Sequence, residues 1–173
     1  MIALRPAQFP DYTSIAKLHA ESWRQNYRGI YNDNFLDNEV EQNRSDTWHK
    51  RLKFPDPNQY VTVAVFNEGI VGFSCILLND DPAFGSLLDN LHVLSDLQNT
   101  GIGRSLMKDC AKTILNKANN NKMYLWVYEV NKNARAVYER LGGTCYEIAV
   151  KQNEDGTHSS TCRYIWNDVS ALI

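Results

Sequence analysis

Several absences narrow the reading before any motif is considered. Lys and Arg number 18 against 20 Asp and Glu, a formal net charge of −2, so the excess of positive charge that marks a nucleic-acid surface is missing. No Leu/Ile/Val run approaches the ~20 residues that span a bilayer. The N-terminus also lacks a charged-then-apolar leader, so the chain reads as cytoplasmic, with no membrane partner. Only four cysteines occur, Cys75, Cys110, Cys145 and Cys162. They lie far apart in apolar or strand-like contexts, which reads as buried free thiols, with no disulfide framework and no metal site. No repeat, low-complexity tract or linker divides the 173 residues, and that length suits a single domain, 1–173, with a substantial core.

The most informative stretch runs from Leu87 to Lys117. An apolar run, Leu87 to Leu94, is broken by Asp89, Asn90 and His92, and leads into Gln98-Asn99-Thr100-Gly101-Ile102-Gly103. Beyond it Ile102, Leu106, Cys110, Ile114 and Leu115 recur at helical spacing. The pattern is strand, glycine turn, helix. The first turn of a helix carries unpaired N–H groups and about half a positive charge, which suits a phosphate. Two glycines also serve a simple strand-to-helix turn with no ligand, and the glycines alone leave the readings level. Leu106 stands where a third glycine of G-x-G-x-x-G belongs and no Gly-Lys-Ser/Thr follows, so dinucleotide and nucleoside-triphosphate motifs fit less well.

Gln98-x-x-Gly101-x-Gly103, after the strand Asp89–Val93, resembles the acyl-CoA pyrophosphate motif of the GNAT superfamily of N-acetyltransferases. A second block strengthens the resemblance: Tyr124–Asn131, then Ala134, Tyr138 and Gly142, is similar to that family's next strand and helix. The two blocks cover Leu87 to Gly143, and the flanking regions are compatible with the same fold. The fold implied is α/β (α+β). Its central mixed, mostly antiparallel sheet would have about six or seven strands and about four flanking helices, splayed between the strands at 87–94 and 122–130.

Taken in order, Ile2–Arg5 reads as a first strand, and Asp11 or Thr13 as the cap of a helix bearing Ile15, Leu18, His19, Ser22 and Trp23 on one side. His19 on that apolar face reads as a packed core histidine. Trp23, Tyr27 and Tyr31 sit in the linker that, in the family, overhangs the acceptor; they either contact substrate or plug the sheet edge. Glu39–Leu52 reads as an amphipathic helix with Val40, Trp48 and Leu52 inward and its charges solvated. Tyr60–Phe66 and Ile70–Leu78 form a hairpin about Asn67-Glu68-Gly69, Asn79–Gly85 a loop, and Thr144–Lys151 with Thr161–Trp166 a terminal hairpin.

What the resemblance implies about chemistry is acetyl transfer from acetyl-CoA, as co-substrate, to an amine. The pyrophosphate would rest on the loop from Gln98 through Asn99, Thr100, Gly101, Ile102 and Gly103 to Arg104, and the pantetheine on main-chain groups from Leu91 to Val93. Asn131 would cap the following helix and hold the pantetheine arm; capping alone also accounts for it. Tyr138 would protonate the departing thiolate, since a phenol starts out protonated near neutral pH. A lysine-like amine has a pKa of roughly 10.4, so about one molecule in a thousand is neutral near neutral pH. A base therefore helps, and Glu129 and His92 are both candidates. Asn99 and Thr100 replace basic residues and a glycine common in the family, Ser95 replaces a proline, and Gly142-Gly143 departs from Gly-aromatic. A non-catalytic acyl-CoA binding or sensing module is the competing reading. The acceptor, a small molecule or a peptide, is not legible, and a homodimer through the C-terminal strands remains open.

Overall fold

The computed structural model describes residues 2–173. Its strands are β1 (Ala3–Pro6), β2 (Gln59–Phe66), β3 (Gly69–Asp81), β4 (Gly85–Val93), β5 (Met123–Tyr128), β6 (Thr144–Gln152) and β7 (His158–Trp166). Its helices are α1 (Tyr12–Asn26), α2 (Val40–Lys53), α3 (Ile102–Lys117) and α4 (Lys132–Arg140). The strands make one sheet in the order β1-β2-β3-β4-β5-β7-β6. Every neighbouring pair is antiparallel except β4 with β5. The mixed, mostly antiparallel sheet with four helices is the architecture expected from the sequence.

Alternate side chains of a strand face opposite sides, and the two faces bury different partners. On one, α1 and α2 bring Ile15, Leu18 and Trp48 against Val63, Phe73 and Cys75. On the other, α3 lays Met107, Cys110 and Ile114 against Leu88, Leu125 and Tyr164. Cys75, Cys110 and Cys162 are buried and Cys145 half-buried, all as free thiols. Burial pushes both Cys75 and Cys110 up to about 12, which leaves them protonated and inert.

The parting of β4 from β5 creates the site. The two strands pair only at Ser86–Met123 and Leu87–Tyr124. From there β5 stays with β7, paired from Met123–Trp166 to Tyr128–Thr161. β4 follows β3 as far as Gly72–Val93, with a register shift that leaves Asp89 as an extra residue. Such a bulge bends a strand.

Several local expectations need correction. Asn79–Gly85 is not all loop: β3 runs on to Asp81, whose side chain takes the N–H groups of Ala83 (2.7 Å) and Phe84 (3.0 Å) and closes the turn. Asp11 stands at the start of α1 but does not cap it; its carboxylate is taken by Arg5 (2.7 Å) and the Gln8 N–H (2.7 Å). The charges of α2 are not all solvated, because Arg44 is 4% exposed and lies over the Trp23 ring at 4.2 Å.

Candidate active site

The turn between β4 and α3 leaves a row of main-chain donors free. Asn99 and Gly101 take positive φ, 62° and 92°, a conformation glycine adopts without the Cβ clash that opposes it in other residues. Gly101 starts α3, and Ser105 N–H closes the first helical bond to its carbonyl at 3.0 Å. Among the described residues no acceptor is found for the main-chain N–H groups of residues 99–104. These donors, with the helix dipole behind them, suit a diphosphate. The loop is secured locally: Gln98 Nε2 reaches the Val93 carbonyl (3.3 Å) and Thr100 Oγ1 donates to the Leu97 carbonyl (2.6 Å). Ile102 turns its side chain into the core, 3% exposed, so its main chain alone faces outward.

From this turn a cleft of about 1140 Å³ runs through the gap between β4 and β5. Leu91 and Val93 line one lip, Leu125 and Val127 the other, and Gln98, Asn99, Gly101, Gly103 and Arg104 one end. Asn131 accepts the Ala134 N–H at 3.2 Å and so caps α4 at the cleft wall. Arg135 and Glu139 both bond the Tyr164 hydroxyl (3.2 and 2.5 Å), clamping α4 to β7. Tyr138 stands in the cleft, half-buried, with its ring 6.0 Å from Tyr164 and 6.2 Å from Trp166. No protein group among the described residues bonds its hydroxyl, and burial pushes the phenol up to about 12.

This geometry meets a direct match: the acetyltransferase (GNAT) family model covers residues 15–143. The chain belongs to that family. It is an acyltransferase, and the family's co-substrate is an acyl-CoA. At 29% identity it is similar to YuaI of Bacillus subtilis (strain 168), an uncharacterized N-acetyltransferase, with 99% of this chain and 96% of YuaI aligned. Its fold is similar to that of the PaiA N-acetyltransferase of Thermoplasma acidophilum, solved in complex with coenzyme A. The TM-score is 0.72 at 15% identity, over 96% of this chain and 99% of PaiA. A GCN5-related N-acetyltransferase structure from Rhodopseudomonas palustris gives a TM-score of 0.74 at 17% identity, over 95% and 94% of the two chains.

At the far end of the acetyltransferase cleft, Trp23, Tyr27, Tyr31 and Tyr128 gather. Tyr27 lies 4.8 Å from Tyr128 and Trp23 4.9 Å from Tyr31. These rings line the cleft and pack against Phe35, Leu36 and Val40 in one cluster. The Tyr128 hydroxyl bonds Asn153 (2.9 Å) and Tyr31 (3.2 Å). The β6–β7 turn closes this end: Asp155 takes the Asn32 N–H at 2.6 Å, and Glu154 pairs with buried Arg44.

The candidate bases separate. His92 lines the cleft, with Nδ1 2.8 Å from Ser22 Oγ and its ring 4.5 Å from that of buried His19. Burial, and then Arg44, lower His92 to about 4, so it is neutral near pH 7. Glu129 is not brought there. It follows the last residue of β5, its N–H still bonding the Ser160 carbonyl at 2.9 Å, and the chain then turns, Asn131 N–H reaching back to the Tyr128 carbonyl at 2.9 Å. The residues lining the cleft do not include Glu129. They do include two carboxylates that sequence reasoning passed over, Asp89 and Glu154, each held by an arginine, Arg51 (2.6 Å) and Arg44. Asn153 and Lys151 were likewise missed, and Ser22, placed on the inward side of the first helix, was given no role in the site.

Proposed function

We propose that this acyltransferase moves the acetyl group of acetyl-CoA to a primary amine of a small molecule or peptide, by direct attack. The carrying observation is the set of unpaired N–H groups at 99–104 opening onto the same cleft as the free Tyr138 hydroxyl. The diphosphate rests on that turn, and the main-chain groups of Leu91 and the Val93 N–H, left unpaired by β5, hold the pantetheine. Asn131 fixes the start of α4 and thereby the height of Tyr138. The acceptor enters from the end lined by Trp23, Tyr27 and Tyr31. Its nitrogen attacks the thioester carbonyl, the C–S bond breaks, and Tyr138 gives its proton to the thiolate; at about 12 the phenol is fully protonated at neutral pH. His92, neutral on the β4 lip, serves as the base, and Ser22 orients its ring.

Exposed Tyr146, Ile148 and Val150 on edge strand β6 support a homodimer, and one continuous sheet supports a single domain. Free thiols and the lack of any described helix long and apolar enough to cross a membrane are consistent with a cytoplasmic setting. The test is thiol release from acetyl-CoA over a panel of amines and peptides. Acceptor-dependent release supports the enzyme reading; acetyl-CoA binding without release on any acceptor favours the sensing module instead.

A further inference from the structure

The cleft holds a primary amine of its own. Among the residues lining it, Lys151 is the one lysine. It stands on β6 opposite Ser159, with Nζ 3.3 Å from the centroid of the Trp126 ring. Trp126 belongs to β5, the strand that forms the lip facing β4, and also lines the cleft. Gln152, Asn153 and Glu154, which follow Lys151 in the chain, continue the same wall. The charged groups beside the amine are Arg163, 4.5 Å from the Trp126 ring, and Glu147, which pairs with Arg163 at 2.8 Å. Burial first, and Arg163 second, lower the Lys151 pKa, while Glu147 acts against them. The neutral, nucleophilic form is therefore more populated than in a lysine in open solvent.

We propose that Lys151 is a self-acetylation site, its ε-amine taking the acetyl group from acetyl-CoA bound in the cleft of the same chain. The inference rests on the proposed acetyl-CoA reading. The flexible lysine stem lets Nζ leave the Trp126 face and swing toward the gap between β4 and β5. The Nζ lone pair attacks the thioester carbonyl, a C–N bond forms and the C–S bond breaks. The amine proton passes to water, and Tyr138 protonates the CoA thiolate before regaining a proton from solvent. The products are Nε-acetyllysine and free CoA, with no oxidant or reductant consumed. An uncharged amide then replaces the cation over Trp126 and changes the charge met by an incoming acceptor.

The experiment incubates the purified chain with acetyl-CoA and no acceptor, and follows each lysine by site-resolved mass spectrometry. Exposed Lys112 and Lys117 on α3 serve as internal references. Proximity predicts that Lys151 is acetylated at least about tenfold faster than either, at a rate independent of protein concentration. Tyr138→Phe should slow Lys151 and leave Lys112 unchanged. Modification of Lys151 no faster than Lys112, or insensitive to Tyr138→Phe, overturns the proposal. Calorimetry on the same sample separates the two readings. Acetyl-CoA that binds while Lys151 stays unmodified overturns self-acetylation alone, whereas absence of binding overturns the proposed function with it.

Discussion

Ser22 Oγ meets His92 Nδ1 at 2.8 Å, tying α1 to the β4 lip of the cleft. Behind this pair His19 accepts the Trp48 Nε1–H at 2.9 Å, so a run of neutral polar groups threads an otherwise apolar layer. Burial keeps both imidazoles below their ordinary range.

The linkage has a definite sign. His92 titrates near 6.5 when unfolded and at about 4 when folded, so between those values the unfolded chain holds the extra proton. Stability is complete above about pH 6.5 and falls as pH drops toward 4, by on the order of 3 kcal/mol from this residue at full protonation. Urea midpoints across that window should decline less steeply in His92→Gln. An unchanged slope would mean that the folded protein tolerates a charged His92.

Tyr138→Phe keeps the ring that packs against Tyr164 and Trp166 and removes the hydroxyl proposed as the proton donor. A loss of roughly 10²–10⁴ in turnover is expected, with acetyl-CoA affinity unchanged. With the phenol at about 12, the wild-type rate should show no alkaline decline from this group near neutrality. Equal turnover in both proteins would remove the role.

Arg44 is buried, and the carboxylate it pairs with, Glu154, belongs to the turn that closes the Trp23–Tyr31 end of the cleft, the proposed acceptor entrance. Glu154→Gln leaves that guanidinium with a weaker partner. Because Glu154 is half exposed, a cost of about 1–2 kcal/mol is expected rather than the larger penalty of a fully buried pair. Thermal melting should register the loss, and acceptor KM should rise while acetyl-CoA affinity holds. If melting and KM both stay put, the turn is not secured by this contact.

Gly143 joins α4 to β6 by close packing. A Cβ there would lie 2.5 Å from Trp166 Cζ2, and that ring is pinned by its Nε1–H donating to the Leu141 carbonyl at 2.9 Å. Gly143→Val should therefore destabilise the chain by at least about 2 kcal/mol. Denaturant midpoints that match the wild type would show that the ring can give way.

What could be read from the sequence was local. The β4–turn–α3 unit writes its pattern within Leu87–Lys117, and Asn131 sits where a cap is needed, so both were legible. Arg44 was legible too, and was passed over: Val40, Arg44 and Trp48 share one helical face, a spacing that places the charge inward. Glu129 lies outside the cleft lining because the chain turns directly after it, a turn that strand alternation does not record. Asp89 reaches the cleft through a bulge, and Lys151 and Glu154 through the pairing of β6 with β7, contacts that no local pattern records.

The most direct test is calorimetric titration of acetyl-CoA into wild type, Gly103→Val and Arg104→Ala. A Cβ on Gly103 meets only Val93 Cγ2, at 3.9 Å, so the fold accepts the change while the new side chain intrudes where the donors gather. Hydrogen bonds to charged groups contribute about 1.5–3 kcal/mol each, so several amides outweigh one exposed arginine. The account predicts that Gly103→Val weakens binding at least about tenfold more than Arg104→Ala does. Equal losses in the two variants would contradict it.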